Sequence, residues 1–217
     1  IFFCKSYGKN TQGRLSFLKL DDLLGGNKID LIISSSTIHL IPENILPSLF
    51  KEFYDNLSIN GTFIWSSGDI PSKLLPSKCN LLHDPYREIL KLIRKDAFYS
   101  TLESEYSENL IIEMRKKAEK IFPCSSDIDY YLDALHKSQF RGEVFTKVIS
   151  KSIQECKLFL KAPRLSEIAS LITDSDERDI FIEGLLSSTF DSQQSGLATE
   201  GEVYNSYWHY GVFNKFQ

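Results

Sequence analysis

Between Ser34 and His39 the chain reads Ser-Ser-Ser-Thr-Ile-His. An imidazole titrates near neutral pH, so His39 suits general-base work on a hydroxyl, an amine or an acidic carbon. The small hydroxyls of Ser34, Ser35, Ser36 and Thr37 leave room for a ligand and can hydrogen-bond it, with Ser34 and Ser35 placed first in line. Serine and threonine also stop strands and cap helices, so both readings stand at this level. Asp21 and Asp22 are adjacent carboxylates that only accept when ionised; they would serve a ligand or cap the Leu23-Leu24 turn. His83, Asp84, Pro85 and Tyr86 cluster where a helix begins, and Trp208 precedes His209 in an aromatic stretch. His83, Tyr86 and Trp208 are candidates for lining a substrate pocket, against helix starting for the first two and packing for the third. The cysteines Cys4, Cys79, Cys124 and Cys156 are far apart, with no Cys-x-x-Cys or His-x-x-x-His pair, so no metal site is expected.

The elements that must position these residues follow from periodicity. Residues 1–10 suit the end of an amphipathic helix, with Gly8 and Asn10 as stop signals. Alternation at Leu15, Phe17, Leu18 and Leu20 predicts a strand over 15–20 that ends at the aspartates. The unbroken apolar run of 29–36 predicts a strand buried on both faces. Ile45, Leu46, Leu49, Phe50, Phe53 and Leu57 repeat at helical spacing behind Pro42, then Asn60-Gly61 reads as a turn and 62–67 as the next strand. Strand, crossover helix and strand make a βαβ unit, hence a parallel pair in an α/β, doubly wound, mostly parallel sheet. From 72 to 140 three helical patterns follow in succession, which predicts a helical insertion placed as a lid over the ligand crevice. The expected division is therefore 1–71 with 141–217 as the α/β core and 72–140 as the insertion. Further along, 143–150 reads as a strand, 162–172 and 176–190 as helices, and 204–216 as a final aromatic strand.

The ordered set Asp21-Asp22, "DLIISSSTIHLI" and "LSINGTFIWSS" resembles the class I S-adenosylmethionine-dependent methyltransferases over residues 15–67. The resemblance implies a Rossmann-like methyltransferase fold, S-adenosylmethionine as cofactor and methyl transfer to a small organic acceptor at oxygen, nitrogen or carbon. It also implies roles. Asp21 or Asp22 would meet the adenine, Ser34 and Ser35 would touch the cofactor, and His39 would be the catalytic base. His83, Tyr86 and Trp208 would contact the substrate. The tone of "FF…KSYGKN" and "IHLIP" is similar to members acting on natural-product or polyketide-type molecules, with an acceptor that is free or bound to a carrier protein. Some carbon-methylating members pair the histidine with a glutamate at the end of the next strand; Ser66 and Ser67 stand there, with Asp69 slightly beyond, which weakens carbon methylation and leaves oxygen or nitrogen open. The family's glycine-rich loop and its ribose-binding acid do not occur, and the chain begins at Ile1. The expectation is thus the C-terminal part of a larger protein, with the N-terminal strands of the sheet missing and an exposed sheet edge left behind. The competing reading is a non-catalytic, methyltransferase-like binding module within a larger synthase. A nicotinamide-dependent reductase is disfavoured, since no Gly-x-Gly-x-x-Gly is present.

Composition sets the outer limits. With 217 residues, 42% of them hydrophobic, the chain can bury a core and is not of the disordered class. A net charge of -4 without a basic stripe excludes a nucleic-acid footprint. No apolar run reaches the roughly 18 residues of a membrane span, and no signal peptide is seen. A cytoplasmic protein with reduced thiols is expected.

Overall fold

A computed structural model describes residues 7–9, 15–17, 20–121, 125–161, 165, 169–191 and 195–216. The chain is α/β, with a five-stranded sheet, a separate two-stranded ribbon and helices between them. Two compact units divide it: one from 1–67, 128–145 and 210–217, the other from 68–127 and 146–209.

The first unit is built on strands β3 (Ile29–Ser35) and β4 (Leu57–Ser67), joined by helix α2 (Leu46–Asn56). The two strands are parallel, with Leu31 opposite Thr62 and Ser35 opposite Ser66, as a βαβ crossover requires. Two further strands, β5 (Arg141–Ser152) and β7 (Val203–Asn214), run from one unit into the other, and the sheet order is β3-β4-β7-β5. Asn60 and Gly61 exchange backbone bonds with Lys215, while a side chain on Gly211 would strike Trp65. That register makes β7 antiparallel to β4. Short strand β6 (Thr199–Glu200) pairs with β7 in the second unit.

Alternation decides which side of β4 packs: Gly61, Phe63, Trp65 and Ser67 are buried, and the residues between them are half-buried. Phe63 is the hub of the first core, with ring centroids of Phe53, Phe140 and Phe50 at 5.2, 5.8 and 6.0 Å. Helix α2 buries Leu46, Leu49 and Phe50 on one stripe. Its end is fixed by Lys215, whose Nζ donates to the carbonyls of Tyr54 and Leu57 at 2.9 Å and lies 4.9 Å above the Tyr54 ring. A cation suits the negative end of a helix.

Several expectations need correction. Residues 7–9 are not helical: β1 (Tyr7–Lys9) pairs antiparallel with β2 (Leu15–Phe17) in the two-stranded ribbon, so β2 is not a strand of the main sheet. Asp21 and Asp22 belong to a short helix, α1 (Leu20–Leu24), rather than to a strand end. Two adjacent acids are welcome in a helix's first turn, where the backbone N–H groups converge, and that preference outweighed the alternation. Strand β3 is not buried on both faces, because Leu31 is 48% and Ile33 67% exposed. It stands at the end of the sheet order, so the expected exposed edge is present among the described residues. Asn60-Gly61 is not a turn before the strand but a bulge inside it: Asn60 takes a left-handed φ of 64° and the register shifts between Ile29 and Leu31.

In the second unit, helices α3 (His83–Lys95), α4 (Ala97–Glu103) and α5 (Glu108–Ile121) realise the helical patterns. They share a core with α7 (Ile153–Lys161) and α8 (Ser175–Asp191). The Asp69 carboxylate accepts from the N–H groups of Leu82 and His83 at 2.9 and 3.3 Å, capping α3 from outside the helix. Asp96 ends α3 and caps α4, accepting from the Tyr99 N–H at 2.8 Å. Helix α6 (Ile128–Lys137), expected in the insertion, packs with the first unit through a Tyr130 hydroxyl that donates to the Glu43 carbonyl at 2.8 Å. The compact units therefore differ from the division at 72–140. The helix expected over 162–172 falls largely outside the described residues. Among those described, no helix is long and apolar enough to cross a membrane, and no group of acids, histidines and cysteines could hold a metal.

Candidate functional site at the carboxyl ends of β3 and β4

In an open α/β sheet, ligands bind beyond the carboxyl ends of parallel strands. At that end of β3 the backbone turns sharply: Ser36 adopts φ 50°, a conformation costly for a residue with a side chain. Its N–H donates to the Ser66 carbonyl at 2.8 Å, tying the turn to the tip of β4. The Ser35 and Ser66 hydroxyls lie 3.1 Å apart, and the Thr37 hydroxyl donates to the Ser35 carbonyl at 2.7 Å. Ser34 stands in register with Trp65.

The turn leads into a single 3-10 turn, Ile38–Leu40, which carries His39. Ile38 is 1% exposed, and its burial anchors the turn so that the neighbouring imidazole is buried as well. His39 Nδ1 is 2.9 Å from the Ser67 Oγ, the last residue of β4. A buried ring nitrogen bonded to a hydroxyl is fixed in rotation, and the hydroxyl can serve either tautomer by turning its own proton. On the same face of β4 as Ser67, two residues back, Trp65 is fully buried and its indole N–H has no partner. A buried donor left unmatched is costly.

Ser34, Ser35 and His39 stand at the tips of β3 and β4, with Ser35 against Ser66 and His39 against Ser67. In the sequence Ser66 and Ser67 stand out only as replacements for an acid. The opposition of Ser66 to Ser35 depends on the strand register, which the bulge at Asn60 sets. Trp65 carried no sequence signal beyond its place in an apolar strand.

The remaining candidates stand elsewhere. Asp21 and Asp22 are exposed on α1, which is tied to α2 by a bond from the Leu20 N–H to the Glu52 carboxylate. They do not stand at a strand tip. His83, Tyr86 and Trp208 belong to the second unit. The Arg87 Nε donates to His83 Nε2 at 3.3 Å, which puts the ring proton on Nδ1, 3.2 Å from the Asp84 carboxylate. Both ring nitrogens are therefore engaged in opening α3. Tyr86 is fully buried, and its hydroxyl donates to the Ala118 carbonyl at 2.7 Å, so it packs the helices and is not presented to a substrate. Trp208 lies over Gly68, where a Cβ would come within 2.4 Å of its indole nitrogen, and its N–H is buried without a partner.

His209 is the other buried imidazole. Its Nε2 donates to the Ile70 carbonyl at 3.1 Å, and Nδ1 accepts from the Thr146 hydroxyl at 2.9 Å. Burial lowers its pKa below 6.5, so it stays neutral and structural. Cys79 and Cys156 are free and buried, and burial pushes each thiol up to about 11, far from a reactive thiolate.

No family model and no curated protein matches the sequence. Solved structures do resemble it. A cyclopropane-fatty-acyl-phospholipid synthase-like protein from Lactobacillus casei aligns at 12% identity and a TM-score of 0.44, over 89% of this chain and 59% of that one. Phosphoethanolamine N-methyltransferase 2 from Haemonchus contortus, bound to phosphomonomethylethanolamine and S-adenosylhomocysteine, aligns at 13% and 0.38, over 88% and 34%. A cyclopropane synthase from Mycobacterium tuberculosis aligns at 11% and 0.37, over 86% and 56%. The chain spans less than two thirds of the length of each. At such scores the function has to come from this chain's own residues.

Proposed function

We propose that the tips of β3 and β4 form the acceptor side of an S-adenosylmethionine-dependent methyl-transfer site that works on a small organic molecule. The observation that carries this is the buried His39–Ser67 pair, set 2.9 Å apart at the carboxyl ends of two parallel strands joined by a crossover helix. It stands beside the sequence resemblance over 15–67. S-adenosylmethionine, when bound, supplies a methyl group on a sulfonium. The task of this chain is to align the nucleophile and take its proton. His39 accepts that proton, and Ser67 holds the ring in the orientation that lets it do so. Ser35 and Ser66 give paired hydroxyls that can donate to a ligand or accept from it. Ser66 and Ser67 stand where some carbon-methylating members carry a glutamate, so the resemblance leaves an oxygen or a nitrogen nucleophile open. A natural-product acceptor, free or on a carrier protein, is the class that the resemblance suggests.

The fit to the cofactor is partial. The hydroxyls suit the polar parts of a nucleoside ligand. The carboxylates expected to meet its adenine do not: Asp21 and Asp22 are solvated in α1. That same observation favours the second reading, a non-catalytic methyltransferase-like module. Calorimetric titration of S-adenosylhomocysteine into the protein separates the two. A single-site heat that weakens about tenfold or more in Ser35→Trp is expected, since the indole would fill the tip; a tenfold loss is about 1.4 kcal/mol. No heat with the unaltered protein would leave the module reading standing.

A further inference from the structure

We infer that the second unit holds a binding pocket for a small aromatic monocarboxylate, independent of the methyl-transfer reading. Helices α3, α4 and α5, with Ser170, line an open cavity of about 250 Å³. Its floor is apolar: Leu90 and Ile93 from α3, Tyr99 from α4, Met114 and Ala118 from α5. The volume has room for roughly eight water-sized atoms, which is the scale of one benzene ring with a carboxylate. A thioether beside a ring is a favourable contact, so Met114 and the Tyr99 edge suit an aromatic body better than a polar one.

The walls are held independently of any ligand. The Tyr86 hydroxyl fastens α5 to α3 through the Ala118 carbonyl, and Arg94 of α3 pairs with Glu119 of α5 at 2.6 Å. Tyr99 stacks on Phe181, with centroids 5.7 Å apart and planes 11° apart, which fixes the ring that edges the cavity.

The rim is cationic. Arg94, Arg115 and Lys117 stand on it beside Glu103, and Arg94 is taken by Glu119. Glu103 is taken by Arg115, which reaches it through Nε at 3.3 Å and Nη2 at 2.6 Å. Lys117 has no ion-pair partner among the described residues and is exposed. An apolar floor under a rim with surplus positive charge recognises a molecule with one apolar end and one anionic end. The carboxylate would sit at Lys117, with the unused N–H groups of Arg94 and Arg115 beside it.

Met114 is the chain's only methionine, so its methyl group is a direct probe. The protein is labelled at the methionine methyl carbon, the Met114 signal is assigned by its loss in Met114→Leu, and sodium benzoate is titrated in. A saturable shift of that signal is expected, weakened about tenfold or more in Lys117→Glu. Lys117 is exposed, so its reversal leaves the fold intact and isolates the charge. Three results would overturn the inference: no saturable shift with benzoate, an equal response to neutral benzyl alcohol, or an affinity unchanged in Lys117→Glu.

Discussion

Two buried imidazoles show how position, rather than residue type, decides chemistry. His39 has a hydroxyl partner at a strand tip, where ligands gather, and is the proposed proton acceptor. His209 is spent on Ile70 and Thr146, and burial outweighs the Ile70 hydrogen bond and the Asp127 charge to lower its pKa. The sign of the pH effect follows. In the unfolded chain His209 titrates near 6.5, and in the folded chain lower. Between those values the unfolded state holds the extra proton, so this stabilisation is full above about pH 6.5 and is lost as pH falls toward the folded pKa. Urea unfolding followed from about pH 7 to about pH 5 should show stability falling, and His209→Gln should flatten part of that slope even if it lowers stability at pH 7. An unchanged slope in the variant would show that the ring is not held neutral. The hydroxyl run and His39 were legible in the sequence because the β3 signal was strong and chemistry-bearing side chains followed it. The Ser67 partner was not legible as such, since its approach depends on how β3 and β4 slide past each other.

Elements were legible where packing and local pattern agreed. The amphipathic helices α2, α3, α5 and α6 lie close to the segments that their apolar stripes mark. Failures came where two signals competed. The apolar alternation over 15–20 lost to the acidic first turn of α1, and Asn60-Gly61 is a bulge because β4 starts as soon as α2 ends. Glycines at element level make a sharp comparison. At Gly142 in β5 a Cβ would meet the Val212 carbonyl oxygen at 2.0 Å and the Phe213 backbone at 2.7 Å, so backbone must move. Gly142→Ala should destabilise by about 1–3 kcal/mol, the range for overpacking. Gly184, on the exposed side of α8, has nothing within 4 Å. Gly184→Ala should stabilise by about 1 kcal/mol, through helix propensity alone. Thermal unfolding of both variants checks the pair, and a stabilised Gly142→Ala would refute the close β5–β7 register.

At the scale of the molecule, each unit has its own core, one centred on Phe63 and the other shared by helices α3 to α5, α7 and α8. The first carries the proposed chemistry and the second the carboxylate pocket. Strand β3 closes the sheet with Leu31 and Ile33 exposed, an edge that invites pairing. The division into units was only coarsely legible, because strands β5 and β7 pass through both units and α6 returns to the first by tertiary contacts that no local pattern encodes. The central claim is that methyl transfer takes place at the tips of β3 and β4. It is tested most directly by irradiating the protein with radiolabelled S-adenosylmethionine and mapping the label onto tryptic peptides. Cleavage after Lys28, Lys51 and Lys73 isolates the tips in peptides 29–51 and 52–73. The account predicts label in these two peptides, abolished by excess S-adenosylhomocysteine. Label confined to other peptides, or label that the competitor does not displace, would contradict it.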